Sequence, residues 1–152
     1  MGKQEIEQRI WLKEDIIHYQ VTANLGWTLP LSELEIVGEY TDPNGPYVDD
    51  YFFVFVTRPN HKWNEASFYA EGRDEFLQKL GLMLGAEIHC DLADSVDYKS
   101  RVMWPKELED KPLFDFVPVE SSGLLERIKH KLIPEYYFAF TEIVQDYLKA
   151  CE

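Results

Sequence analysis

Cysteine is scarce: the two in the chain, Cys90 and Cys151, lie far apart, and no Cys-x-x-Cys pair occurs. That spacing excludes a disulfide framework. Long apolar runs are missing as well. The longest, Tyr51 to Val56, is far short of the roughly 20 residues that cross a bilayer. The opening Met-Gly-Lys-Gln-Glu-Ile-Glu-Gln-Arg has neither an apolar stretch of signal-peptide length nor the Ser or Thr that myristoylation requires. A cytoplasmic protein with no membrane partner is expected. Motifs with a known mechanism are absent too: no Gly-rich phosphate loop, no His-Glu-x-x-His and no Gly-x-Ser-x-Gly. Their absence leans away from the common enzyme classes and from a bound cofactor, without excluding a site assembled from distant residues.

Positive charge is the other shortage. Fifteen Lys and Arg face 28 Asp and Glu, a formal net charge of −13. Such a surface repels phosphate backbones and attracts basic partners, so nucleic acid is not an expected ligand and a basic protein is. The one basic cluster, Arg127, Lys129, His130 and Lys131, reads as the solvated face of a helix.

Apolar residues, by contrast, make up 45% of 152 residues. That is enough for one core, and the chain reads as a single domain, 1–152. Ile17, Tyr19, Val21 and Ala23 alternate with polar residues at strand period, and Arg9–Leu12 offers a partner strand across the turn Lys13-Glu14-Asp15. A short N-terminal helix through Ile6 and Ile10 competes with that reading. Leu34 to Thr41 reads as a strand with Leu34, Ile36, Gly38 and Tyr40 on one face and Glu35, Val37 and Glu39 on the other. After the turn residues Asp42-Pro43-Asn44-Gly45-Pro46, the run Tyr51–Thr57 is apolar on both faces, as a central strand covered on both sides should be.

Ala66–Ala70 is a shorter strand candidate, and Asp74 stands where a helix N-cap belongs. Phe76, Leu77, Leu80, Met83 and Leu84 recur at helical spacing, ending at Gly85. Glu87–Leu92 alternates like a strand, and a less regular stretch carries Ser100–Pro105 and Leu113–Pro118. The end of the chain reads as two helices. The first is capped by Ser121 or Ser122 and carries Leu124, Leu125, Ile128 and Leu132; the second, beyond Pro134, carries Tyr136, Tyr137, Phe140, Ile143, Val144, Tyr147 and Leu148. Together these elements predict an α+β fold, mainly an antiparallel sheet, with one internal helix and C-terminal helices packed on one face. In element order alone, Leu34–Leu84 resembles bacterial domains of the pleckstrin-homology type; no motif accompanies the likeness, and no family is assigned.

Three clusters invite a chemical reading. His89-Cys90-Asp91 holds residue types used as nucleophile or metal ligand, yet neighbours on a strand point to opposite faces, which favours a buried Cys90. Asp42, Asn44, Asp49 and Asp50 place oxygen ligands on one loop, but their spacing is not that of a calcium loop and suits turn formation. His61 and Glu65 are four apart in a predicted loop, where that spacing aligns nothing. No metal is expected.

Aromatics are the compositional excess: nine Tyr, nine Phe and four Trp. Trp63 and Trp104 fall beside turn residues and are candidates for a recognition surface. The expected function is a non-catalytic, acidic protein-binding domain, inhibitor- or immunity-like or a regulatory partner of a basic protein. Its candidate binding residues are Glu39, Tyr40, Asp42, Asp49, Asp50, Trp63 and Trp104. The alternative is a small-molecule-binding protein or enzyme with a pocket between sheet and C-terminal helices, using Glu39, Tyr40, His61, His89 and Arg101. A homo-oligomer through the C-terminal helix, around Tyr136, Phe140 and Tyr147, is a further expectation.

Overall fold

The computed structural model describes residues 8–45, 48–58, 60–118 and 136–151. Period-two alternation near the N-terminus builds an antiparallel meander of β1 (Arg9–Lys13), β2 (Ile16–Thr22) and β3 (Leu25–Pro30). Glu14, at φ 58°, closes the first turn in the left-handed region. Ile10 pairs with Tyr19 and Leu12 with Ile17, so one face of the meander is apolar. The hairpin reading of this region is the one that holds.

A four-stranded antiparallel sheet forms the middle of the molecule: β4 (Leu34–Thr41), β5 (Tyr51–Thr57), β6 (Lys62–Ser67) and β7 (Lys99–Trp104), in the order β6-β5-β4-β7. The internal helix α1 (Arg73–Leu84) follows β6 in sequence. Its turning point is Gly85, at φ 68°, where a β-carbon would strain the backbone. β8 (Phe114–Pro118) and β9 (Tyr136–Phe140) pair as a separate antiparallel ribbon, and α2 (Glu142–Ala150) ends the described chain.

Both faces of the central sheet are covered. Val37, Phe53, Phe55 and Met103 pack against the apolar side of the meander and against Phe76 and Leu80 of α1. On the reverse, Ile36, Tyr40, Val54, Val56 and Val102 meet Leu113, Phe114 and the buried Val144 and Leu148 of α2. The approach on that side is close: a β-carbon on Gly38 would lie 2.5 Å from Leu113 Cδ2, so glycine is what lets this layer settle on β4. The C-terminal helix thus packs on one face of the sheet, and the internal helix takes the other.

Several local expectations are corrected. Tyr136–Phe140 is a strand and not part of the last helix, which starts only at Glu142. Its alternating side chains build an aromatic layer with Phe114 and Phe116, and cross-strand pairing outweighs helical spacing. Glu87–Leu92 forms no strand; its groups are taken by side chains, as described below. The strand placed at Ala66–Ala70 begins earlier and ends at Ser67. Gly72, not Asp74, is the N-cap of α1, and Asp74 lies in its first turn. In β4 the pairing with β5 shifts between Leu34 and Ile36, so Leu34 shares the face of Val37 while Ile36 and Tyr40 share the other. Ser121, Ser122, the stripe from Leu124 to Leu132, the basic cluster at Arg127–Lys131 and the competing helix from Ile6 lie wholly or partly outside the described residues.

Candidate functional site

The polar residues of the central sheet fall into two classes, those enclosed and those at its rim. Glu39 is enclosed completely, at 0% exposure. Its Oε1 accepts from the backbone N–H of Asp91 at 2.8 Å, and its Oε2 from the Tyr51 hydroxyl at 2.8 Å. Arg101, directly across from it on β7, brings Nη1 to 3.4 Å of Oε1. The same Nη1 donates to the His89 carbonyl at 2.9 Å, while Nε donates to Asp110 at 2.7 Å and lies 3.3 Å from Asp91. Burial raises the Glu39 carboxyl above its ordinary range, against the opposing pull of the Asp91 N–H, Tyr51 and Arg101. A charge so enclosed is a fastener between strands and a neighbouring loop.

Tyr40 is enclosed on the opposite face. Its hydroxyl donates to Glu65 Oε1, and Trp63 Nε1 donates to Glu65 Oε2 at 3.0 Å. Burial first, then the Glu65 charge, raises the Tyr40 phenol. Trp63 sits within the aromatic layer, its ring 5.0 Å from those of Phe114 and Phe140. Trp104 is half-buried against the first core cluster and lines a groove of about 400 Å³ with Met103, Leu84 and His89. Glu39 and Tyr40 are therefore placed inside the protein, and Trp63 is half-buried against the second core. Phe140 and Tyr147 also pack inward, and among the described side chains at the C-terminal end Tyr137 and Ile143 are the large apolar ones exposed.

At the rim, the turn after β4 is organised by its own carboxylates. Asp42 Oδ1 accepts from the Asn44 N–H at 2.9 Å, and the Asp42 N–H donates to the Asp50 carbonyl at 3.0 Å. Asp49 Oδ2 accepts from Gln8 at 2.9 Å. Asp50 Oδ1 accepts from the hydroxyl of Tyr69 at 2.7 Å. Tyr69 is 57% exposed, and Val48 beside the carboxylates is exposed as well. The hydrogen bond to Asp50, assisted by slight burial and the two aspartate charges, pushes the Tyr69 phenol up to about 12. Asp42, Asp49 and Asp50 are thus brought together, Asp42 itself buried and Asp49 and Asp50 half-buried, and the exposed Tyr69 joins them. Tyr69 was missed in the sequence because it shares a stretch with the inward Phe68, which stacks on Tyr51 at 4.0 Å.

The remaining clusters do not assemble catalytic chemistry. Cys90 packs beside the first core cluster. Burial, then the Glu39 charge, pushes its thiol up to about 11, the opposite of an activated nucleophile. His89 pairs with Glu87 at 3.3 Å rather than with Cys90. His61 lies 3.5 Å from Glu35, not on Glu65, which the Tyr40 and Trp63 donors occupy. Among the described residues no group of three or more His, Cys, Asp and Glu could hold a metal ion, and no helix is long and apolar enough to cross a membrane. Comparison with protein-family models, with curated proteins and with solved structures finds no match for this chain.

Proposed function

We propose that this chain is a non-catalytic, acidic binding domain that covers a basic protein surface with the Asp42–Asp50 turn and Tyr69. The observation that carries the reading is the fixed, exposed Tyr69 ring, held by Asp50 among further carboxylates. Tyrosine buries much area at little entropic cost, which is why it recurs at binding hot spots. Asp49, held by Gln8, is ordered before any partner arrives. The net charge of −13 steers basic partners toward the protein. An inhibitor- or immunity-type role fits this combination.

The test is retention of a basic protein from an extract of the native cells, followed by titration of that protein by calorimetry. Salt should weaken the association. Tyr69→Ala should weaken it roughly 30-fold, as expected for a hot-spot side chain worth about 2 kcal/mol. Binding indifferent both to salt and to Tyr69→Ala with Asp49→Asn would overturn the proposal.

A further inference from the structure

Four strands stand at the outer edges of the meander and the central sheet: β1, β3, β6 and β7. An edge strand presents unpaired N–H and C=O groups to any strand that comes alongside, and proteins blunt such edges with charge, proline or a covering segment. Three of the four are blunted. β1 carries Arg9 and Lys13, and its edge is taken by Glu71, which accepts from the Ile10 N–H at 3.0 Å and donates to the Gln8 carbonyl at 2.8 Å. β7 carries Lys99 and Arg101, and Val102 donates to the Lys111 carbonyl at 2.8 Å and accepts from the Asp110 N–H at 3.0 Å. β6 carries Lys62 and Glu65, and the Trp27 indole donates to the Glu65 carbonyl at 3.0 Å.

β3 is the exception. From Leu25 to Leu29 it has neither charge nor proline, and Pro30 only ends it. It pairs with β2 on one side, and among the described residues its far edge has no hydrogen-bonded neighbour. Leu25 is 61% exposed, and Gly26 and Thr28 are exposed too. The neutrality extends beyond the strand: Ile16 to Ser32 contains no Lys, Arg, Asp or Glu, in a chain of net charge −13.

What fits such an edge is another strand, because main-chain groups then supply the affinity. β3 is its own complement. Two copies related by a two-fold axis set one residue of the strand opposite itself. With the axis at Trp27, Leu25 faces Leu29, Gly26 faces Thr28, and no charged side chain stands in the ladder. The exposed Leu25 gains apolar neighbours on the face that Trp27 and Leu29 already share. With the axis at Thr28, Gly26 would face Pro30, which has no N–H to give. Two bodies of −13 repel wherever their carboxylates approach, and at an uncharged strand that cost is smallest. We infer that two copies of this chain associate edge to edge through β3, the meander of one protomer continuing into that of its partner. The contact uses none of the residues placed at the Tyr69 rim and goes beyond the role proposed for them.

The test is sedimentation equilibrium of the full chain. One strand pair is a small contact, so monomer and dimer should exchange over about 5–200 µM. Raising NaCl from about 0.05 to about 0.5 M should tighten the dimer at least about threefold, because salt screens the repulsion between the bodies and meets no ion pair at the contact. Salt acts in the opposite sense on the basic-partner association proposed above, so the two readings fail separately. Leu25→Lys and Thr28→Lys each place a charge on the edge and should each weaken the dimer by about tenfold or more. Both positions are exposed, so the dilute variants should keep the melting temperature of the parent, which is checked alongside. In hydrogen exchange the amides of Leu25–Leu29 should gain protection as concentration rises. A monomeric mass throughout, or a dimer indifferent to both Lys variants, would overturn the inference. So would a dimer that salt weakens, or one whose protection appears around Tyr137 and Ile143 instead of β3.

Discussion

Replacing Arg101 by Met keeps most of the side chain's length and removes its charge, stranding Glu39 inside the first core. The carboxylate retains two donors, the Asp91 N–H and the Tyr51 hydroxyl, each at 2.8 Å. It loses the buried guanidinium that faced it at 3.4 Å. Breaking a buried ion pair from one side costs about 3–5 kcal/mol, and the two surviving hydrogen bonds place this case near the lower end. The other partners, Asp91 and Asp110, are well exposed and rehydrate cheaply. A loss of about 3 kcal/mol corresponds to a melting temperature lower by roughly 6–12 °C in a domain of this size.

The pH dependence separates this cause from simple loss of packing. Burial holds the Glu39 carboxyl above its unfolded value of 4.5, so the folded protein binds that proton more readily. The Glu39 contribution to stability is therefore greatest below the unfolded value and declines as pH rises from there through the folded value. Without Arg101 to oppose burial the decline becomes steeper. Urea unfolding should show a larger deficit of Arg101→Met at about pH 7.5 than at about pH 5, and Glu39→Gln combined with Arg101→Met should recover most of it. A deficit below about 1 kcal/mol, or one equal at the two pH values, would refute the reasoning.

Two further outcomes are expected. Cys151 is exposed whereas Cys90 is half-buried and burial pushes its thiol up to about 11, so near neutral pH a maleimide should label Cys151 quickly and Cys90 much more slowly; equally rapid labelling of both would contradict the raised thiol of Cys90. Asp50→Asn should bring the Tyr69 phenol down from about 12 toward 10, followed by ultraviolet titration of a Tyr69-reporting difference spectrum against Tyr69→Phe; an unmoved titration would mean that Asp50 does not hold the ring.

Wherever burial dictated a period, the sequence was readable. Tyr51–Thr57 is apolar on both sides because two layers cover it, and that demand is written into every residue of the strand. The hairpin β1–β2 was readable for the same reason, since one of its faces is dry. Tyr136–Phe140 was misread because a run of aromatics satisfies strand and helix alike, and its partner Phe114–Pro118 is far away in sequence. The shift at Glu35 was invisible because a bulge depends on pairing geometry, not composition. In the candidate site, the clustering of Asp42, Asp49 and Asp50 followed from their shared turn. Glu39 gave no sign of being enclosed, because its countercharge, Arg101, sits on a strand distant in sequence. Leu82 falls off the stripe that carries Phe76 and Leu80 and stays exposed, an apolar residue with no core to enter.

The stretch from Ala86 to Tyr98 joins α1 to β7 without contributing a strand to any sheet. It hangs instead from side chains: Glu39 and Arg101, the Tyr51 hydroxyl against the Leu92 N–H, and Thr41 Oγ1 on the Asp97 carbonyl at 2.7 Å. Strand register does not pass through it, so an insertion or substitution between its anchors leaves every β-pair of the sheet unshifted. The stretch between these anchors can consequently be rewritten residue by residue over an unchanged scaffold. The sequence of this connection can drift faster than the fold it spans.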